Sequence, residues 1–442
     1  MAKYIIRTLG CKTNTCDSIC LENELLQSGW TLVQEGEIPE VCIVNSCSVT
    51  EEAEKQSCKI AQKLQRTYPQ ATVFITGCLR QPSAYYDRLR NIQFINLTDK
   101  QALAKQIVQR ITPGVTDSFY STHVNASSLV RTRAFVKVQE GCSRYCSYCI
   151  VPFLRGSPRS IPIREIIDSV NSQIAKGIRE IVLTGTNLGN FSIDSKQSAL
   201  TILVQKIVNE TSVERIRLSS LSPIDITDSL LSLVSDNPRI CHHFHVSLQS
   251  PLTKILKLMG RAYSTKLVEE RLKAISELKD VRGYPFIGMD VISGFPGESN
   301  EDFEETVNLL TKWSWSRLHV FPYSEREGTR AATFSNSVPK DVRRKRAGVL
   351  RDLSLERMKA VYENVLSTCK HSSTELQDVL LESGVHLFGE NWVSGYTKNY
   401  FKVLLPVDSI HSLKSNSVIS AKPQRIGIDK QKAEVFFYGT NT

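Results

Sequence analysis

The chain has 442 residues, 55 Lys and Arg against 45 Asp and Glu for a net charge of +10, and 41% hydrophobic residues. That length accommodates two or three domains, and no run of about 18 apolar residues marks a membrane span. The start, Met1-Ala-Lys-Tyr-Ile-Ile-Arg7, enters a strand pattern directly, without the charged head, apolar core and small-residue cleavage site of a signal peptide. The expectation is therefore a cytoplasmic protein. Twelve cysteines in a reducing compartment point to metal or redox chemistry and away from a disulfide framework. The positive excess is uneven: residues 126–371 hold 35 Lys and Arg against 26 Asp and Glu, while the outer segments are nearly neutral. A basic middle fits an RNA partner, and fits equally a charge that serves solubility.

The first segment alternates short apolar strands with amphipathic helices. Strands are expected at Tyr4–Thr8, Val41–Val44, Ala71–Thr76 and Ile92–Ile95, and helices at Asp17–Ser28 and Glu51–Tyr68. Such alternation predicts an open parallel sheet with helices on both faces. Cys11, Cys47 and Cys78 each follow a strand by one to three residues. Ligands of an open parallel sheet bind beyond the carboxyl ends of its strands, so these three converge at one edge. Cys16, Cys20, Cys42, Cys58, Cys241 and Cys369 read as packing or surface residues. The Pro/Gly/Ser/Thr-rich stretch from about 112 to 130 reads as a linker.

The middle segment shows strand patterns at 134–138, 180–184, 215–219, 243–248, 286–292 and 317–321, separated by helical patterns. Six βα repeats predict a partial TIM-like barrel with its site at the C-terminal strand ends. Directly after the first strand comes Gly141-Cys-Ser-Arg-Tyr-Cys-Ser-Tyr-Cys149, a C-x3-C-x2-C loop. Iron–sulfur clusters usually take four cysteines; three on one loop leave one iron open to another ligand. A zinc site with a remote fourth ligand and buried inert thiols are the plainer alternatives. Arg155 reads first as a solvated loop arginine and second as a partner for an anion. The densest basic run, Lys340-Asp-Val-Arg-Arg-Lys-Arg346, lies on a long helix over about 339–367 and reads first as a solvated face, second as an RNA contact. After it, short strand patterns at 378–382, 391–394, 400–405 and 433–438 predict a small all-β barrel.

Together these landmarks resemble the radical S-adenosylmethionine (SAM) methylthiotransferase family, nearly end to end. The matching segments are Thr8-Leu-Gly-Cys-Lys-Thr-Asn14, Val44-Asn-Ser-Cys-Ser-Val-Thr50, Thr76-Gly-Cys78, Gly141 to Gly156, Gly294-Phe-Pro-Gly-Glu298, Leu318-His-Val-Phe-Pro-Tyr-Ser324 and Gly395-Tyr-Thr-Lys-Asn-Tyr-Phe-Lys-Val403. The resemblance implies three domains: an N-terminal methylthiotransferase domain over 1–115, a radical SAM core over 128–358, and a TRAM-like RNA-binding barrel over 371–440. It implies two [4Fe–4S] clusters, one on Cys142, Cys146 and Cys149 that cleaves SAM, and an auxiliary one on Cys11, Cys47 and Cys78. It also places SAM against Gly185 and Thr186 after the second barrel strand, against Ser219, Ser247 and Gln249 near later strand ends, and against Tyr148. Gly185 as a turn residue and Tyr148 as core packing remain open beside those roles. Three positions depart from the family pattern: Ile161, Ser222 and Pro251.

Within the family, Lys12 in Gly-Cys-Lys-x-Asn, Ser48-Val-Thr-Glu-Glu-Ala-Glu-Lys55 and Arg217-Leu-Ser-Ser-Leu are similar to the group acting on threonylcarbamoyladenosine in tRNA. The implied reaction is insertion of sulfur and a methyl group, through two SAM-dependent steps, at C2 of the adenine 3′ of the anticodon. The implied partners are a tRNA anticodon stem-loop, an electron donor such as flavodoxin or ferredoxin, and a sulfur donor. Neighbouring readings are action on isopentenyladenosine in tRNA or on a ribosomal-protein aspartate. A reading of another class is a non-catalytic iron–sulfur protein that binds RNA.

Overall fold

A computed structural model describes residues 2–79, 85–86, 89, 92–95, 100–111, 132–193, 199–278, 283–387, 390–407 and 416–441. The linker expected at 112–130 lies outside the described residues. The chain divides into two compact units, one formed by residues 1–131, 140–159 and 324–332, the other by the remainder.

The first unit is built on a five-stranded, all-parallel sheet. Its spatial order is Thr31–Leu32, Lys3–Thr8, Val41–Ser46, Thr72–Gly77, Ile92–Phe94. The central strand, Val-Cys-Ile-Val-Asn-Ser, is buried at every position, as its unbroken apolar start requires of a strand covered on both faces. Its side chains alternate between two cores. Val41 and Ile43 join Tyr4, Phe74, Leu21, Leu25, Leu103 and Ile107 under the helices Lys12–Gln27 and Lys100–Ile111. Cys42 and Val44 join Ile5, Val73, Ile75, Ala61 and Leu64 under the helix Glu51–Thr67. Thr50 caps that last helix by accepting from the Ala53 amide at 3.2 Å, and Glu51, Glu52 and Glu54 load its first turn where the dipole favours acids.

In the second unit, six strands run parallel in sequence order: Arg133–Glu140, Glu180–Gly185, Arg215–Leu218, His243–Gln249, Phe286–Ser293 and Arg317–Pro322. The third and fourth join through the bridge Ile216–Ile240 and through Ser220–Leu221, which pairs with His245–Val246. Helices Ile163–Ala175, Leu200–Glu210, Asp228–Asp236, Thr265–Ser276 and Asn300–Lys312 cover the outside, and their apolar faces share one core with the strands. This is the partial barrel of six βα repeats expected from the pattern.

A 33-residue helix, Lys340–Ser372, follows. Its basic run is not simply a solvated face. Arg343 and Arg346 are buried: Arg343 donates to the carbonyls of Val338 and Tyr323 at 2.6 and 3.1 Å, and Arg346 pairs with Glu298 at 3.2 Å. Their neighbours Lys340, Arg344 and Lys345 face solvent. The chain ends in a closed five-stranded barrel ordered Leu376–Leu387, Glu390–Tyr396, Lys402–Pro406, Glu434–Asn441, Val418–Asp429.

A buried ion network ties this small barrel to the amino ends of the large barrel's strands. Glu180, fully buried, accepts from Arg133 Nε and Arg215 Nε, both at 2.8 Å, and from the Tyr400 hydroxyl. Arg215 also donates to the carbonyls of Asp378 and Thr397 at 2.5 and 3.0 Å. Burial works against the Glu180 charge, but Arg215 and Arg133 outweigh it and hold the carboxyl below its usual range. Among the described residues no helix is long and apolar enough to cross a membrane.

Candidate iron–sulfur and SAM site

The strand order of the first unit explains why distant cysteines meet. The strand Lys3–Thr8 lies between Thr31–Leu32 and Val41–Ser46, so the chain leaves it toward one side and returns on the other. The turns after Lys3–Thr8 and Val41–Ser46 therefore flank the point where the order reverses, the position at which open sheets form their ligand crevice. Cys11 ends the first turn, as the residue before the helix Lys12–Gln27, and Cys47 opens the second, directly after Ser46. Cys78 follows the next strand over. The helix after Cys11 starts at Lys12, earlier than the apolar period suggests, so Cys11 is its N-cap and sits at the positive end of the helix dipole.

Asn14, fully buried, staples these turns. Its Nδ2 donates to the Leu9 carbonyl at 2.9 Å and the Ser46 carbonyl at 2.7 Å. Gly10 (φ +90°) is in the left-handed region, and a Cβ there would lie 2.8 Å from Cys47 Cβ and 2.9 Å from Cys47 Sγ. Burial, with Cys78 and Cys11 close by, pushes the Cys47 thiol up to about 12. Burial likewise raises the Cys78 thiol, with Cys11 contributing and Arg155 opposing. The structure thus brings Cys11, Cys47 and Cys78 into one electrostatic neighbourhood. Among the described residues no three His, Cys, Asp or Glu side chains stand preformed around a metal position. The donor chemistry still fits an iron–sulfur cluster: three soft thiols, a cradle that a single Cβ would fill, and a buried cation to offset thiolate charge.

The C-x3-C-x2-C loop belongs to this same unit. Gly141 (φ +77°) turns the chain into it; a Cβ there would strike the Ser157 carbonyl oxygen at 2.1 Å. The Cys142 amide donates to the Gly156 carbonyl at 3.1 Å and the Cys149 amide to the Cys146 carbonyl at 3.0 Å, so the loop closes on its own base. Cys146 is buried, while Cys142, Cys149 and Tyr148 are half-buried. Tyr145 (φ +44°) is held outward, its ring 6.1 Å from that of Phe153 in an edge-on pair.

Arg155 is the group that the sequence misplaces. It is not solvated. On the short helix Val151–Arg155 it is buried, donating from Nε to Cys78 Sγ at 3.3 Å and from Nη1 to Glu140 Oε1 at 2.8 Å. Its Nη2 reaches Asp17 Oδ2 at 3.0 Å and the Asn14 side-chain oxygen. Burial disfavours its charge, but Cys78, Asp17 and Cys11 more than compensate.

The remaining expected site residues lie in the second unit. Gly185 ends its strand against Gln139, whose carbonyl oxygen would be 2.9 Å from a Gly185 Cβ; close packing explains this glycine. Beyond Thr186, the Asn187 amide donates to Gln139 Oε1 at 2.9 Å. Ser219 is buried, its amide bonded to the Leu183 carbonyl at 3.0 Å. The Ser247 carbonyl accepts from the Tyr263 hydroxyl at 3.0 Å. Gln249 (φ +66°) sits at a register shift in its strand, an outlier of the kind that clusters at ligand sites. Sequence reasoning missed a polar row inside the barrel. His245 Nε2 lies 2.8 Å from Asp290 Oδ1, its Nδ1 3.3 Å from Ser220 Oγ, and its ring 5.1 Å from that of His319. The available signal was polar residues at alternate positions of strands otherwise made of Val, Ile, Leu and Phe.

Residues 136–310 match the family model of the Radical SAM superfamily, and residues 3–97 that of Uncharacterized protein family UPF0004. The threonylcarbamoyladenosine tRNA methylthiotransferase MtaB of Aquifex aeolicus is 32% identical over 414 residues, spanning 91% of this chain and 98% of that protein. The tRNA-2-methylthio-N(6)-dimethylallyladenosine synthase of Petrotoga mobilis is 32% identical over 366 residues, spanning 79% and 83%. Among solved structures, the radical SAM methyltransferase TsrM of Kitasatospora setae aligns with a TM-score of 0.55 at 15% identity, over 75% of this chain and 77% of that one. That last likeness is one of fold.

Proposed function

Because the chain belongs to the radical SAM tRNA methylthiotransferase family, we propose that it places a methylthio group on C2 of threonylcarbamoyladenosine, the nucleoside 3′ of the tRNA anticodon. The observation that carries this reading is the gathering of Cys11, Cys47 and Cys78 in the same compact unit as the loop of Cys142, Cys146 and Cys149. A radical generator needs one open cluster; sulfur insertion needs a second site to deliver sulfur. When bound, the two [4Fe–4S] clusters and SAM supply the radical, the sulfur and the methyl group, none of which a side chain provides at an unactivated aromatic C–H. Cys142, Cys146 and Cys149 would hold the cluster that supplies SAM cleavage, and Cys11, Cys47 and Cys78 would hold the other. Two SAM molecules are consumed per product.

The chain's own residues bind and orient. Gly185 and Thr186 present main chain to the SAM amino group, Ser219, Ser247 and Gln249 serve its ribose and carboxylate, and Tyr148 flanks its adenine. The terminal barrel and the exposed cations Lys340, Arg344 and Lys345 grip phosphates, while a loop nucleotide, being single-stranded, is splayed out for reaction. A flavodoxin- or ferredoxin-like donor supplies electrons.

Mass spectrometry of tRNA nucleosides from a strain lacking the protein tests this reading. Loss of the methylthio form of threonylcarbamoyladenosine is expected. Loss of the dimethylallyl form instead would transfer the assignment to the substrate named for the Petrotoga relative. Retention of both would overturn the tRNA assignment.

A further inference from the structure

We infer that Arg155 is a positioning residue that raises the reduction potential of the second cluster. This rests on the reading that Cys11, Cys47 and Cys78 hold that cluster. Arg155 lies on the helix directly after Cys149, yet its Nε points at Cys78 Sγ, 3.3 Å away. A guanidinium is a rigid fork of donors, and every nitrogen of this one is engaged: Nε by Cys78, Nη1 by Glu140, Nη2 by Asp17 and Asn14. Asp17 and Glu140 therefore fix its plane, and that plane delivers an N–H to sulfur.

An arginine needed only to neutralise Asp17 would have no reason to face a thiol. Hydrogen bonds to ligand sulfur and local net charge are among the terms that set an iron–sulfur potential, and such outer partners commonly tune a metal site. A buried cation donating to the Cys78 thiolate favours the more negative, reduced cluster. Asp17, also buried and bonded to the same guanidinium through Nη2, works the other way.

The test uses the full chain carrying Cys142→Ala, Cys146→Ala and Cys149→Ala, reconstituted anaerobically so that one cluster remains, with its potential followed by EPR during a redox titration. Arg155→Gln is expected to move the midpoint to more negative potential, and Asp17→Asn to less negative potential. Opposite shifts support the inference, because simple loosening of the site has no reason to give opposite signs. Unchanged midpoints, or shifts in one direction, overturn it. Should Arg155→Gln lose the cluster, electron–nuclear double resonance on the unsubstituted Arg155 protein with nitrogen-15 arginine decides. A coupled nitrogen supports the hydrogen bond and its absence overturns it. If the triple variant holds no iron and sulfide at all, the ligand reading fails and takes this inference with it, an outcome that iron and sulfide analysis separates from the others.

Discussion

Replacing Gly10 with alanine perturbs the proposed second cluster at one atom. The new Cβ would stand 2.8 Å from Cys47 Cβ and 2.9 Å from Cys47 Sγ, with Asn14 Nδ2 at 3.3 Å. Comfortable carbon contacts are about 3.5–4.0 Å, so Cys47 must retreat by roughly 0.7 Å or the turn must move. Overpacking of this kind costs about 1–3 kcal/mol, and the left-handed backbone at Gly10 adds about 1–2 kcal/mol for a residue with a Cβ. The sum, about 2–5 kcal/mol, falls on the crevice between two strands and is below the stability of a typical domain, about 5–15 kcal/mol. Gly10→Ala is therefore expected to fold with a lowered denaturation midpoint, to reconstitute with one cluster in place of two, and to cleave SAM without methylthiolating. Iron and sulfide per chain, with urea denaturation followed by circular dichroism, measures both effects. A variant with two clusters and an unchanged midpoint would refute the geometry.

Glu180→Gln removes the carboxylate at the centre of the ion network beneath the large barrel. Leaving Arg215 with backbone carbonyls and Arg133 with Glu382, each without the shared buried carboxylate, is expected to cost about 3–5 kcal/mol, read by urea denaturation; a loss under 1 kcal/mol would contradict the network. The Glu180 pKa is depressed, so its contribution is present above the unfolded value of about 4.3 and is lost as pH falls through the folded value. Wild-type stability should decline below about pH 4.3 more steeply than that of the variant, and parallel curves would refute this. For tRNA, affinity should fall about tenfold or more between 50 and 200 mM salt through loss of phosphate contacts; a filter-binding constant flat across that range would remove the electrostatic grip.

Parallel strands and their covering helices were readable because Val41-Cys-Ile-Val44 and its counterparts are unbroken apolar runs, and the cysteines after them announced a shared edge. What brings Cys11 beside Cys47 is the strand order, which local pattern does not encode. The helix Lys12–Gln27 begins before its apolar period because Lys12-Thr-Asn-Thr-Cys16 serves the cysteine turns: Asn14 is buried to bond Leu9 and Ser46. The strand Val418–Asp429 is not legible in the sequence, since Lys422 and Pro423 interrupt it, and the fold absorbs them through a register shift between Pro423 and Arg425. Arg155, Arg343 and Arg346 read as solvent-facing, yet each is buried by partners that include groups far away in the chain, and residue type alone cannot distinguish a paired arginine from a solvated one. The polar row His245, Asp290 and His319 was hidden for the same reason, each member lying on a different strand.

In the proposed reaction, two open clusters in one chain convert threonylcarbamoyladenosine to its methylthio form. The direct measurement is an anaerobic reaction of the reconstituted protein with SAM, a reductant and tRNA bearing threonylcarbamoyladenosine, digested and read by mass spectrometry. The expected product is a nucleoside heavier by one methylthio group in place of hydrogen, formed by the wild type and absent when either Cys47 or Cys146 is alanine. Formation of 5′-deoxyadenosine with no methylthio nucleoside from the wild type would contradict it.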